Sequence, residues 1–400
     1  MTTSANHTET IRFAGIQFIF WASIVCFEAF MVPFLTDAGY SPSQAGLVMS
    51  AIFGFAIIGQ PMVGSLSDRM NSPRWIVAIA MTIAGAAALL LPSVAGLYGI
   101  VIAIALLYSL TANSLPAVLD AWIMARRRRN PRLSYGVSRG FGSLGFAVGA
   151  AAFGAIAERY GTQVVFPAYA TLAVAVAVLA ALMPRPADPA SKEHASRETG
   201  HLAEGLRAAV SNGPYLALIL ATFIAFVGFR AAMTFLPLLL DSVGGSVRDV
   251  GLSHSIAAVS EAPLFFISGL LIRRVRGPKL IAGVLGLMAV RIFVYSLLAT
   301  SEAVLLLQLS HGATFGIFLA ATVDYIDEIA PPAHRSLFQA IAPSVFFGLG
   351  SIVGSWAGGV TIEASSITLL YKASGGLVLA GALIVAVGAR PTKRSTRSTT

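Results

Sequence analysis

The side chains able to do chemistry in this chain interrupt otherwise apolar stretches. Four acids, Glu28, Asp120, Glu261 and Asp324, share these stretches with three bases, Arg139, Arg230 and Arg291, and with His311. A charge near the bilayer centre costs about 2.5–3.5 kcal/mol on insertion scales, so such residues line a wet cavity or meet a partner. Nearly balanced charges of this kind suit two tasks, holding a polar solute and carrying protons reversibly. Histidine titrates near neutral pH, which fits His311 to a relay, although a membrane histidine also serves as a packing residue that hydrogen-bonds. Covalent and metal chemistry find no support. The chain has no nucleotide-binding loop, no HExxH and no GxSxG, its six histidines are scattered, and its single cysteine excludes an intrachain disulfide. No catalytic residue, metal ligand or cofactor is expected, and the missing phosphate loop excludes an ATP-driven pump.

Position sharpens some of these assignments. Glu28 lies well inside the first apolar run and Arg230 about midway along the seventh, so the two are expected to pair or to share a polar or zwitterionic ligand. A structural ion pair is the competing reading. Glu261 is followed by Pro263, which frees a backbone carbonyl and bends a helix. A protonatable acid near a bend, with Arg291 on the next run, suits proton coupling; a neutral, packed glutamate is the alternative. Asp120 and Arg139 lie near the ends of their runs, where a local pair of Asp120 with Arg126–Arg129 competes. Asp324 can likewise pair with Arg335 or Arg273.

The elements that position these groups are membrane spans. The 400 residues are 56% hydrophobic and 11% charged, with a mean hydropathy of +0.79. A soluble domain carries roughly 25% charged residues. Twelve apolar runs of spanning length follow one another: 13–35, 44–67, 75–92, 97–124, 135–157 and 162–183, then 216–240, 252–272, 280–299, 304–326, 336–362 and 369–387. The polar start lacks the basic region of a secretory signal, so the first run reads as a retained helix. With both termini in the cytoplasm, twenty-one of the 27 Lys and Arg fall inside, three outside (Arg159, Arg248, Lys372) and three within spans. This asymmetry sets the expected topology. The net charge of +9 is therefore a matter of membrane orientation, and Arg126–Arg129 meet anionic lipid rather than nucleic acid.

The two halves repeat. Gly64, Arg69 and Arg74 align with Gly269, Arg274 and Lys279 at an offset of 205, as do Gly145, Gly149 and Gly154 with Gly350, Gly354 and Gly359. Asp120 aligns with Asp324 at 204. The expected architecture is an all-α membrane protein of twelve helices in two six-helix halves, related by a parallel repeat about the membrane normal, with the solute held between them near the midplane. Residues 1–184 form the first bundle, 185–212 a flexible cytoplasmic linker and 213–400 the second bundle. The recurring glycines let backbones approach closely, either as static packing or as a sliding surface.

Between runs two and three, Gly64-Ser-Leu-Ser-Asp68-Arg69-Met-Asn-Ser-Pro-Arg74 resembles the loop motif of the major facilitator superfamily, with Asn71 and Ser72 replacing a glycine and an arginine of the usual pattern. The resemblance implies that Gly64, Asp68, Arg69 and Arg74 form a latch holding one access state. Within that superfamily the chain resembles the lactose and phenylpropionate permeases, through Pro116-Ala-Val-Leu-Asp120-Ala-Trp122, Tyr135-Gly-Val-Ser-Arg139, Ala289-Val-Arg291 and Leu309-Ser-His311. It implies a substrate-holding pair in Asp120 and Arg139, and a proton-coupling side in Arg291 and His311. One turn beyond His311, where the sugar symporters carry a carboxylate, stands Thr314.

The expected function is a monomeric secondary transporter of the inner membrane that imports a small polar or weakly acidic solute with protons. Glu28, Asp120, Arg139 and Arg230 would bind the solute, and Glu261, Arg291, His311 and Asp324 would couple the proton. The antiporter motif of span five is not evident, which favours import over the export of a drug-like metabolite. An integral-membrane enzyme is the alternative of another class.

Overall fold

The computed structural model describes residues 2–70, 72–184, 199–275 and 277–388, and these are helical with no strand. The expected linker residues 185–198 lie outside the described set, as do Asn71, Arg276 and the basic residues Arg390, Lys393, Arg394 and Arg397.

The first half contains α1 (Thr2–Asp37), α2 (Pro42–Met70), α3 (Pro73–Leu90), α4 (Tyr98–Arg128), α5 (Tyr135–Tyr160) and α6 (Thr162–Ala181). The second contains α7 (Gly213–Thr234), α8 (Val247–Arg274), α9 (Gly277–Tyr295), α10 (Ser301–Ile329), α11 (Pro332–Ala364) and α12 (Ile367–Gly388). Among the described residues, eleven of these are long and apolar enough to cross a membrane. With 28 residues, α8 reaches about 42 Å at 1.5 Å per residue, enough for a bilayer core of about 30 Å.

Each half closes around aromatic side chains. Phe27 stacks on Tyr108 at 3.7 Å and meets Phe166 and Tyr169 edge-on, joining α1, α4 and α6. In the second half, Phe226 meets Phe318, Phe346 and Phe347. Such rings bury large apolar areas and prefer offset or edge contacts.

The repeat persists in local geometry. Gly39 and Gly244, 205 residues apart, both adopt a positive φ (86° and 79°) in the turns before α2 and α8. Each following helix starts with a capping box: Ser41 with Gln44, and Ser246 with Asp249.

The glycines divide by role. A side chain on Gly145 or Gly149 would strike the backbone of Phe18 or Ala22, and one on Gly350 or Gly354 would strike Phe226 or Val227. These four hold α5 against α1 and α11 against α7, within their own halves. Gly154 abuts Arg248 and Gly251 of α8, and Gly359 abuts Pro42 and Ser43 of α2. These two face the opposite half, as do Gly46 against Ser355 and Gly251 against Ala150.

The contacts between halves run from the middle of the bundle to the end bearing the Gly39 and Gly244 turns, and they seal that end. At the other end, Gly64, Gly136 and Gly140 have open space before them, and Asp68 and Arg69 are exposed. Glu9 meets Arg126 there, and Gly388 meets Ala217, so the two ends of the described chain share the open side.

Residues 199–211 differ from the expected flexible linker. Thr199–Ser211 form a helix that seats Gly205 against Leu337 and His334, and Asn212 donates to the Ile329 carbonyl. Ala209 is buried and Leu206 and Val210 are exposed, a periodicity too short to signal a domain.

Candidate functional site

The most enclosed polar group lies within the second half. Gly312 follows His311 at the start of a wide π-type turn, Gly312–Gly316. A Cβ at Gly312 would collide with the Ser260 carbonyl, and its N–H donates to Ser260 Oγ at 3.0 Å. The missing side chain thus lets α10 press on α8. His311 Nε2 comes within 3.2 Å of Glu261 Oε1, while His311 Nδ1 lies 2.9 Å from Arg291 Nη1. A guanidinium has no acceptor, so His311 Nδ1 must accept from Arg291 and carries no proton. The imidazole proton therefore sits on Nε2 and is donated to Glu261. Oε1 can accept it whether Glu261 is ionised or protonated. Glu261 can change its charge while the histidine stays neutral and in place.

A second group joins the halves. Glu28 of α1 lies 3.6 Å from Arg230 of α7, which also donates from Nε to Ser351 Oγ of α11 at 3.0 Å. The guanidinium covers the ring of Phe53 on α2 at 3.9 Å, a cation–π arrangement. Four helices, two from each half, meet at this one cation.

The third group belongs to the first half. Asp120 faces Arg139, Tyr135 and Gln17, and the Trp21 indole donates to Gln17 Oε1 at 2.9 Å. Arg139 lies over the Trp21 ring at 4.5 Å and is within electrostatic reach of Glu261 in the opposite half. Arg126 is engaged elsewhere, with Glu9 at 3.7 Å and with the Pro184 carbonyl, so the local pairing of Asp120 with the arginine cluster gives way to Arg139.

Seven of the eight singled-out charged residues therefore gather in three adjoining groups. Asp324 lies exposed near the open end of α10, where Arg335 pairs with Asp327 at 3.5 Å. Of the latch residues, Asp68 and Arg69 are exposed and Arg74 donates to the Met183 carbonyl at 3.1 Å.

Sequence reasoning passed over His254. Its Nδ1 lies 3.0 Å from the Val250 carbonyl, its ring approaches Phe146 of the other half, and it feels both Glu28 and Arg230. The available signal was its place two turns before Glu261 on one helix. Trp21, Gln17 and Phe53 carried no such signal, being ordinary constituents of apolar runs.

The sequence profile of the MFS_1 like family matches residues 10–373. The maltose permease of Geobacillus stearothermophilus is 25% identical over 368 residues, covering 92% of this chain and 91% of the relative. The probable 3-phenylpropionic acid transporter of Escherichia coli is 26% identical over 317 residues, covering 77% and 80%. Among solved structures, the nucleoside transporter NupG superposes with a TM-score of 0.82 at 15% identity, over 94% of this chain and 98% of that one. A D-xylose–proton symporter superposes with a TM-score of 0.72 at 16% identity, over 98% and 99%. With twelve long helices in two repeated halves, charged groups gathered between them, and a profile match over most of its length, the chain belongs to the MFS_1 like family and is a secondary transporter of the major facilitator type.

Proposed function

We propose that this transporter is a proton-coupled symporter that imports a small polar solute across the inner membrane as a monomer, with both termini in the cytoplasm. The observation that carries this reading is the chain Arg291–His311–Glu261, in which a carboxylate accepts from a histidine whose other ring nitrogen is held by an arginine. Protonating Glu261 removes its attraction for Arg139 in the opposite half, and losing the proton restores it. That change couples the proton to the relative positions of the halves. Asp120, Arg139, Glu28 and Arg230 hold the solute, and Asp68, Arg69 and Arg74 latch the open end in the opposite access state.

The balance of the cavity narrows the solute. Glu28, Asp120 and Glu261 offset Arg139, Arg230 and Arg291, and each guanidinium already has a carboxylate in reach. While Glu261 is ionised, the three carboxylates balance the three guanidinium groups, so no excess cation is left to attract an organic anion. An uncharged, hydroxyl-rich or zwitterionic solute fits better, and the rings of Trp21 and Phe53 offer flat apolar surface for its carbon faces. The named substrate of the maltose permease relative is of this kind, whereas a phenylpropionate is not.

The test is the external pH of a lightly buffered suspension of de-energised cells expressing the protein, with sugars, nucleosides, amino acids and aromatic acids added in turn. Alkalinisation on adding an uncharged or zwitterionic class is the expected result. Acidification would show antiport, and alkalinisation with aromatic acids alone would overturn the assignment of the solute.

A further inference from the structure

We propose that Glu158 and Glu363 are a repeat-related pair of gate residues, each holding the sealed end shut by capping, from one half, the first turn of a helix in the other. The two lie 205 residues apart, at the same place in the last turns of α5 and α11. Glu363 Oε2 accepts from the Ser43 N–H at 3.2 Å and from the Ser41 hydroxyl at 2.9 Å, and it also meets the Ser43 hydroxyl. Glu158 Oε2 accepts from the Arg248 N–H at 3.4 Å. Ser43 and Arg248 are themselves 205 residues apart, and each is the second helical residue after its N-cap.

That position explains the contact. The first N–H groups of a helix have no partner within it, and they form the positive end of its dipole. In α2 and α8 the capping boxes satisfy the N-cap and third-residue N–H groups. The first residue of α2 is Pro42, which has no N–H. In α2 this leaves the second-residue N–H alone, and in both helices a glutamate of the opposite half accepts from the second-residue N–H. One turn inward, Gly154 and Gly359 bring the backbones together, so each carboxylate is delivered by a close glycine contact. Separating the halves at this end withdraws both carboxylates at once. Glu158 and Glu363 are exposed, so water replaces them and the seal can open reversibly. Glu363, with three donors, carries the larger share.

The proposal rests on alternating access alone, and its test uses neither solute nor proton gradient, so it stands or falls apart from the symport reading. In a Cys26→Ser background, Ile57→Cys places a thiol beneath the seal, where Ile57 meets Gly348 across the halves. A membrane-impermeant maleimide is then applied from each face of oriented vesicles. The parent reacts from the open face and slowly from the sealed one. Glu363→Gln should raise the sealed-face rate about tenfold, Glu158→Gln about threefold, and the double variant more than either, in line with the modest strength of exposed charge-assisted hydrogen bonds. Glu363→Asp, which keeps the charge but shortens the reach, should act like Glu363→Gln. Glu302→Gln, an exposed acid at the same end, should have no effect. Sealed-face rates unchanged in all four variants of Glu158 and Glu363 would overturn the proposal. So would equal acceleration from both faces with a lowered melting temperature, because the carboxylates would then support the fold and not the gate.

Discussion

Replacing Glu261 by glutamine separates the relay's geometry from its charge. The amide oxygen of Glu261→Gln still accepts from His311 Nε2, the hydrogen bond now spanning 3.2 Å. The glutamate side chain is 25% exposed, so the new NH2 group can reach water. Folding stability should therefore change by less than about 1 kcal/mol. Glu261→Ala removes the acceptor and leaves the buried Nε2–H of His311 unsatisfied, at a cost of about 1–3 kcal/mol. Transport shows the opposite ranking of interest. One proton moving through 100 mV of driving force supplies about 2.3 kcal/mol, which sustains an accumulation ratio of roughly 50-fold. With no group to protonate, Glu261→Gln should bring that ratio to about one in energised vesicles, while exchange of labelled for unlabelled solute stays within about threefold of the parent. The paired assay is accumulation and exchange in the same vesicle preparation, alongside a thermal melt. Normal accumulation by Glu261→Gln would refute the assignment of the proton to this carboxylate, and loss of exchange with a normal melt would refute the claim that the amide preserves the site.

Three further outcomes follow from named contacts. Arg230→Ala removes the pair with Glu28, the Ser351 hydrogen bond and the Phe53 contact, and should lower stability by about 2–3 kcal/mol after allowing for partial exposure. It should also weaken solute binding at least tenfold by titration calorimetry (about 1.4 kcal/mol), and unchanged affinity would remove Glu28 and Arg230 from the site. Gly145→Val drives a side chain into the Phe18 carbonyl and should cost about 1–3 kcal/mol by denaturant unfolding, whereas Gly283→Ala, with open space before it, should be neutral or stabilise by up to about 1 kcal/mol. Asp68→Asn should leave the melt within about 0.5 kcal/mol, since Asp68 is exposed here, yet slow exchange; an unchanged exchange rate would dismiss the latch.

Much of the architecture was legible because it depends on local composition. A run of about 20 apolar residues has few fates other than a membrane span, and a constant offset of 205 can be read without coordinates. The inventory of charged residues was legible for the same reason, since each is costly in an apolar run and therefore conspicuous. Glu28 and Arg230 were paired as expected because both lie midway along repeat-equivalent helices. His254 was missed because a histidine is cheap enough to pass as packing, and Trp21, Gln17 and Phe53 because nothing in an apolar run distinguishes a ring facing the cavity from one facing lipid.

The residues alone thus determined the class of molecule, the twofold repeat and the list of groups able to carry charge. Tertiary structure decided which of them meet. Helical spacing sets the face a side chain lies on, but the distance between faces depends on how closely two helices approach, and here glycines set that distance. Gly312 brings His311 to Glu261, and Gly154 and Gly359 deliver Glu158 and Glu363 to helices of the other half. Which end is sealed also belongs to the tertiary level, because both access states are packings of one sequence and differ only in which surfaces of the two halves touch.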